Sequence, residues 1–326
     1  MAGLEEMPII SVKDLVKRYN GIEAVRGVSF EVNEGETFGF LGPNGAGKTT
    51  TIGILCTLLN FDSGTATVNG FDCRHQARSV RSSIGLVFQE FTLDNQLTAY
   101  ENLKFHCYLY NMEKKVMDRR IDEILDVVGL NDRRGDLVRE FSGGMKRRLE
   151  VARGLLHRPR VLFLDEPTLG LDPQTRTHVW EFIERLKKNY GNTVFMTTHY
   201  MEEAEVCDRI AVIDHGRIIA CASPEALKKS IKGDTIYLKT TDDGRAASEL
   251  KERFGLAARM IDEGLVFQVK GGERFIPKLF ENLSVEIGSV SLKRPSIEEV
   301  FIHLTGREIR EGGGEGGPRA MKINRR

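Results

Sequence analysis

The sequence predicts an α/β chain, in which a core built on a parallel sheet is followed by a small α+β domain. Short apolar runs at Thr37 to Leu41, Ile84 to Phe88, Val161 to Leu164 and Thr193 to Thr197 have the length of buried strands, and helical periodicity lies between them. Strands that alternate with helices run parallel. After about Ser223-Pro224 the character changes, and residues 235–293 read β-α-β-β-α-β, the split β-α-β pattern.

The elements follow in order. Ile9 to Val16 alternates loosely and Val28 to Val32 alternates well, with turns at Asn20-Gly21 and Asn33-Glu34-Gly35. A glycine-rich loop follows Leu41, then a helix-like stretch from Thr49 to Leu59 and a turn at Val68-Asn69-Gly70. Residues 98–156 are mainly helical, with Leu149, Ala152, Leu155 and Leu156 on one face of the last helix. A further helix has Asp172 as its cap, Pro173 at its first position, a stripe of Val179, Phe182, Ile183 and Leu186, and Gly191 at its end. In the second domain the strands lie near Thr235–Lys239, Ala257–Ile261, Leu265–Val269 and Val285–Leu292. Its helices lie near Ala246–Phe254 and Phe275–Leu283, and Pro295 to Leu304 closes it. The expected division is residues 1–223, 224–306 and a flexible tail, 307–326.

Composition narrows the function. The 326 residues suit two domains, and 40% hydrophobic content supplies a core. Lys plus Arg and Asp plus Glu each number 47, so the basic excess of a nucleic-acid binder is missing and no nucleic acid is expected. Five cysteines, at 56, 73, 107, 207 and 221, form no CxxC pair, which points to a reducing cytosol. The first residues lack the apolar centre of a signal peptide, and no run approaches the ~18 apolar residues of a spanning helix. A membrane role would therefore pass through a partner.

Gly42-Pro43-Asn44-Gly45-Ala46-Gly47-Lys48-Thr49, followed by Thr50, fits G-x-x-x-x-G-K-[ST] in full. Glycines let backbone N–H groups turn inward around phosphates, Lys48 brings a point charge to the β- and γ-oxygens, and Thr49 offers a hydroxyl to Mg²⁺. The helix that starts there aims its positive end at the same anion. The competing reading is an idle glycine turn. A chance match in a chain of this length is on the order of one per cent.

The strand Val161–Leu164 ends in Asp165 and Glu166. Strand ends are where open parallel sheets bind ligands. Asp165 can hold Mg²⁺ through water, and Glu166 can orient or deprotonate the attacking water. A solvated acidic loop is the plainer alternative, which the full phosphate loop outweighs. Phe141-Ser142-Gly143-Gly144-Met145 stands shortly before that strand, where Ser142 caps a helix whose start is a second anion site.

With these three motifs, residues 9–220 resemble the ABC ATPase family. The resemblance implies a P-loop NTPase of ABC type: a parallel-sheet core, an antiparallel β subdomain and a helical subdomain at about residues 90–158. It implies that Ser142, Gly143 and Gly144 face the γ-phosphate of ATP held by a second copy, in an ATP-dependent homodimer. Tyr19 matches the aromatic that stacks on adenine, against the plainer reading of a half-exposed strand tyrosine. Gln89 matches the Q-loop glutamine at Mg²⁺. Asp172 matches the D-loop, and is also a helix cap. His199 matches the switch histidine at the γ-phosphate. Two positions depart from the common pattern, Met145 for Gln and Leu169-Gly170 for Ser-Ala, and both variants occur in the exporter branch.

Phe88-Gln89-Glu90, Leu97 to Leu103 and Arg294-Pro295-Ser296-Ile297-Glu298-Glu299-Val300-Phe301 are similar to subunits of the daunorubicin-resistance type. That likeness implies ATP hydrolysis coupled to export of drugs, lipids or other hydrophobic compounds through a separate ABC-2 type permease, with this subunit peripheral on the cytoplasmic face of the membrane. The aromatic-rich segment Phe91–Tyr110 reads as helical core or as a groove for a helix of the permease. Lys146-Arg147-Arg148 reads as a solvated helix face, and the tail's basic residues as solvated. A non-transport ABC protein on ribosomes or nucleic acid would carry a second cassette or coiled-coil insertions, which this chain lacks. A GTPase or kinase would lack the Ser-Gly-Gly helix.

Overall fold

The computed structural model describes residues 7–231, 233–261 and 264–306. It divides into two compact units, one running to Cys221 and one starting at Ala222. The expected tail at 307–326, with its basic residues, lies outside the described residues.

The first unit opens with β1 (Ile10–Tyr19), β2 (Ile22–Val32) and β3 (Thr37–Leu41), and the glycine loop then runs into α1 (Lys48–Leu55). There follow β4 (Ser63–Val68), β5 (Phe71–Asp72), α2 (Ala77–Ser83) and β6 (Ile84–Val87). Three helices come next: α3 (Ala99–Leu109), α4 (Lys114–Val127) and α5 (Gly143–Leu155). The unit is completed by β7 (Val161–Asp165), α6 (Pro173–Tyr190), β8 (Thr193–Thr198), α7 (Met201–Glu205), β9 (Arg209–Asp214) and β10 (Arg217–Ala222).

Two sheets result. An antiparallel sheet has the order β2-β1-β4-β5, and a larger one has the order β10-β9-β3-β8-β7-β6. The pairs β6–β7, β7–β8, β3–β8 and β3–β9 are parallel, as the alternation of strand and helix requires. Phe30 of the antiparallel sheet packs at 5.4–5.8 Å ring-centroid distance on Phe38, Phe40 and Phe195 of the parallel one. This aromatic cluster sits in one core shared by both sheets.

Register places the site. Leu41 pairs with Thr198 and Asp165 pairs with Thr197, so the C-terminal ends of β3, β7 and β8 finish side by side. The loops that leave those ends carry Gly42, Glu166 and His199.

The second unit holds α8 (Pro224–Ser230), β11 (Asp234–Thr240), α9 (Asp243–Phe254), β12 (Arg259–Ile261), β13 (Gly264–Val269), α10 (Gly272–Asn282), β14 (Ile287–Lys293) and α11 (Ile297–Thr305). Its sheet order is β12-β13-β11-β14, all antiparallel. This is the arrangement a β-α-β-β-α-β chain reaches when its two halves interleave.

Some elements differ from the sequence reading. α1 stops at Leu55 rather than Leu59, because the Gly53 carbonyl accepts from the N–H groups of Leu58 and Leu59 and Thr57 takes a left-handed φ of 60°. α4 starts at Lys114, a turn or more before the apolar spacing becomes visible at Ile121. The strands β4, β5, β9 and β10 and the helices α2, α7 and α8 were not foreseen as elements. α2 buries one apolar side chain, Val80, too little to show a period.

Candidate functional site

The phosphate loop owes its shape to glycine at two tight places. A Cβ on Gly42 would lie 2.3 Å from the Ile213 carbonyl oxygen, and one on Gly47 would lie 2.6 Å from that of Ala24. Gly47 also has a φ of 105°, so it turns the chain left-handed just before α1 begins at Lys48. The first N–H groups of α1 therefore face the loop they leave.

A cleft of about 790 Å³ opens there, lined by Tyr19, Ala24, Asn44, Gly45, Gly47, Lys48, Thr49, Thr50, Gln89, Glu166, Leu169, Gly170, His199 and Tyr200. At its floor Lys48, 4% exposed, donates to the carbonyls of Gly42 (2.8 Å) and Pro43 (3.2 Å). Its Nζ lies 3.0 Å from Glu166 Oε1, and His199 Nδ1 lies 3.2 Å from Glu166 Oε2. One carboxylate thus holds both a lysine and an imidazole.

The neighbouring acids are driven apart. Burial pushes both carboxyls up. For Asp165 burial prevails, helped by the charge of Glu166, although Thr197 hydrogen-bonds to it. For Glu166 the burial effect is overcome by the hydrogen bond with His199 and by Lys48, which hold the group down at about 2. Glu166 also sits at φ 45°, a conformation a side chain resists, and its N–H donates to Thr197 Oγ1 at 3.0 Å. Asp165 Oδ1 accepts from Thr197 Oγ1 at 2.5 Å and lies 3.4 Å from Thr49 Oγ1. Thr49, Asp165 and the side-chain amide of Gln89 are hard oxygen donors of the kind Mg²⁺ takes.

Not every predicted residue meets here. Gly42, Pro43 and Ala46 do not line the cleft, although the Gly42 and Pro43 carbonyls accept from Lys48 at its floor. Asp172 uses Oδ1 to accept from Thr175 N (2.9 Å) and Oδ2 from Thr175 Oγ1 (2.6 Å), capping α6. Ser142 caps α5 by accepting from Met145 N at 3.3 Å. Ser142 and Gly144 line a different groove, of about 490 Å³, with Arg148 and Thr175. Both glycines of the motif answer to packing. A Cβ on Gly144 would meet Thr175 Cγ2 at 2.6 Å, and one on Gly143 would meet Leu171 Cδ2 at 3.0 Å.

The basic run Lys146-Arg147-Arg148 differs from the expected solvated face. Arg147 is not on a solvated face but wholly buried, because its guanidinium serves backbone carbonyls at the end of β6. The aromatics Phe91, Phe105, Tyr108 and Tyr110 are exposed at 40–56%, whereas the buried positions of α3 are Ala99, Asn102, Leu103 and Cys107.

Sequence reasoning missed Ala24, Thr197, Tyr200 and Glu203. Tyr200 lies beside His199 and under the Arg176 guanidinium, which is 3.9 Å from the Tyr200 ring centroid. Its place directly after His199 was a usable signal. Glu203, 1% exposed, accepts from Thr168 Oγ1, from Trp180 Nε1 at 3.1 Å and from Thr198 Oγ1. Nothing in its local sequence marks it as buried.

Fold and site together define an ATP-binding cassette. The family description "ABC transporter" matches residues 25–169, and "ATP-binding protein DrrA1-3-like, C-terminal domain" matches residues 223–305. The linearmycin resistance ATP-binding protein LnrL of Bacillus subtilis (strain 168) is 36% identical over 318 residues, covering 93% of this chain and all of that one. The daunorubicin/doxorubicin resistance ATP-binding protein DrrA of Streptomyces peucetius is 40% identical, over 91% of this chain and 92% of its own. A Nod factor export ATP-binding protein I of Burkholderia lata is 40% identical over 94% of this chain and all of its own. Among solved structures, cbiO1 from Clostridium perfringens superposes with TM-score 0.64 at 28% identity, over 68% of this chain and 91% of that one. The dimeric ATP-binding cassette MJ0796 bound to ADP and Pi gives TM-score 0.60 at 27% identity, over 66% and 98%. The chain belongs to the ATP-binding proteins of ABC transporters, in the daunorubicin-resistance type. It is an ATPase. Among the described residues no helix is long and apolar enough to cross a membrane.

Proposed function

We propose that this chain is the motor of a two-component exporter. It hydrolyses Mg²⁺-ATP in the cleft at the ends of β3, β7 and β8 and works as a pair of copies beneath a separate ABC-2 type permease. The observation that carries the chemistry is the buried Lys48–Glu166–His199 chain of contacts, at 3.0 and 3.2 Å.

The charges account for a reaction sequence. Lys48 is paired with Glu166 and with two loop carbonyls. When the β- and γ-phosphate oxygens of ATP take up the Lys48 ammonium, Glu166 keeps its hydrogen bond with His199 but loses the Lys48 charge that also holds its carboxyl low. Its pKa then rises, and it becomes a better acceptor for the proton of the attacking water. His199 holds the other oxygen of Glu166 through Nδ1, which leaves Nε2 for the γ-phosphate. Thr49, Asp165 and Gln89 would hold Mg²⁺, whose charge would screen the phosphates. Tyr19, 42% exposed, offers a ring face to adenine at the rim.

The second copy completes the site. Ser142, Gly143 and Gly144 lie at the start of α5, and Ser142 and Gly144 line another groove, so one chain's Ser-Gly-Gly turn faces the partner's phosphates and Asp172 stands at that junction. The exposed aromatics of α3 offer the permease an apolar contact on the cytoplasmic side. Resistance to linearmycin, daunorubicin or doxorubicin and export of Nod factor are what the relatives are named for, and drugs, lipids or other hydrophobic compounds are the cargo we assign. The test is Glu166→Gln in the full chain. It should abolish hydrolysis and trap an ATP-dependent dimer that requires Mg²⁺, seen by light scattering. A monomer with ATP, or hydrolysis that is linear in protein down to monomeric concentrations, would sink the reading.

A further inference from the structure

Arg147 and Glu150 lie on one face of α5, three residues apart, and neither side chain reaches solvent. Arg147 Nη1 donates to the Phe88 carbonyl at 2.7 Å and Nη2 to the Gln89 carbonyl at 2.9 Å. Its guanidinium also covers the Phe91 ring, 4.7 Å from the centroid. Glu150 Oε1 accepts from Thr92 N at 2.6 Å and from Thr92 Oγ1 at 2.9 Å. The loop that leaves β6 is thus gripped from Phe88 to Thr92 by one helix face.

The chemistry suits a clamp. β6 ends at Val87, so the next carbonyls have lost the strand ladder and need donors. A planar guanidinium serves two of them through two nitrogens of one rigid fork, whereas a lysine would have to reach both from a single nitrogen on a flexible stem. Arg147 Nε has no hydrogen-bond partner, and the Arg147–Glu150 pair is separated by 3.8 Å. An apolar filling of this volume would cost less desolvation. What the charges add is direction.

We propose that Arg147 and Glu150 are positioning residues that lock the Gln89 loop and the Ser142 end of α5 into one body. The state of a chain's own cleft, felt at Gln89, is thereby passed to the helix end that completes the cleft of the second copy. The relay rests on the reading given above of Gln89 and Ser142 as nucleotide-facing. It assigns to Arg147 and Glu150 the coupling between the two clefts of a pair, not contact with ATP.

Steady-state hydrolysis against ATP concentration, and ATP affinity by calorimetry, are measured for the full chain and for Arg147→Lys, Thr92→Val and Ser142→Ala. Arg147→Lys keeps the charge and loses the fork. Thr92→Val removes a hydroxyl from an exposed residue and keeps the helix intact. Both variants should bind ATP as the parent does. Their kcat should fall about three- to thirtyfold, with a Hill coefficient moving from above 1 toward 1. Parental kcat and Hill coefficient in both variants would overturn the relay, and so would a parent that shows no cooperativity. ATP affinity falling in step with kcat would show a merely structural role and would also overturn it. If Ser142→Ala hydrolyses as the parent does, the reading of the helix end fails, and the relay with it. If Ser142→Ala is impaired while Arg147→Lys and Thr92→Val are not, the relay fails alone.

Discussion

In the unit that ends at Cys221, Lys48, Arg120, Arg147, Glu150, Arg153, Asp165, Glu166 and Glu203 are all buried. The interior of the unit that begins at Ala222 is Ile236, Leu238, Ala246, Leu250, Leu265, Phe267 and Leu279, and Glu249 is its one buried charge among the described residues. A buried charge is expensive unless it is paired and hydrogen-bonded. In the first unit Lys48 and Glu166 offset that cost by pairing at the cleft proposed to hold ATP, and Arg120 and Arg147 by serving backbone carbonyls. The second unit is stabilised by apolar packing, and its buried carboxylate, Glu249, accepts from Ser284 N and Oγ. Substitutions in the two units should therefore fail differently, through turnover in the first and through stability in the second.

The largest effect should come from Glu166→Gln. Hydrolysis should fall by roughly 10²–10⁴, the range for removing a positioned base, while ATP affinity stays near parental. Retained turnover would break the comparison at its centre. Next, His199→Ala should lower kcat by about 10², as loss of one preorganised polar group does, and a change confined to KM would contradict the assignment.

Leu265→Ala, in the core of the second unit, should cost that unit about 2–5 kcal/mol. Trp180 is the chain's one tryptophan and lies in the first unit, so its fluorescence reports that unit alone. Urea unfolding should show the loss by circular dichroism and leave the Trp180 transition and the ATPase of the folded chain largely intact. Equal shifts in both signals would mean that the units do not unfold separately.

pH sharpens the contrast. Glu166 is held at about 2 against an ordinary 4.5, so its folded-state interactions stabilise the protein fully above 4.5. That contribution is lost as pH falls from 4.5 toward 2. The melting temperature of Glu166→Gln should accordingly fall less steeply than the parent's over this window. Parallel curves would deny the ion pair its role. The smallest effect is expected from Ser296→Ala. Ser296 Oγ accepts from Glu299 N at 3.2 Å at the start of α11, and the lost cap should cost about 1 kcal/mol of the second unit with no change in hydrolysis.

Some of this molecule was legible because local rules leave few choices. The phosphate loop shows in sequence because a close approach at Gly42 and a left-handed turn at Gly47 admit only glycine. Asp172, Pro173 and Gly191 marked both ends of α6 by cap chemistry that acts over a few residues. The β-α-β-β-α-β unit showed through alternation and turns, and its strand order followed from that connectivity. β9 was overlooked although Ile210 to Ile213 is an apolar run closed by a turn at His215-Gly216, because four apolar residues give a short signal.

Arg147 was misread for a physical reason. Arginine between two other basic residues is normally exposed, and only the packing of α5 on the end of β6 supplies the two carbonyls that bury it. Glu203 is the same case, a carboxylate whose donors come from three separate segments.

The sequence by itself determined the fold class, the loop that holds phosphates, the residue types of the site and the family. Those follow from backbone sterics, periodicity and motif spacing, which act within a few residues. Only the tertiary structure decided that Glu166 holds both Lys48 and His199, that Ser142 opens on a separate groove, and that Arg147 grips the Gln89 loop. Each depends on strand register and helix packing between residues far apart in the chain, and no local pattern encodes those distances.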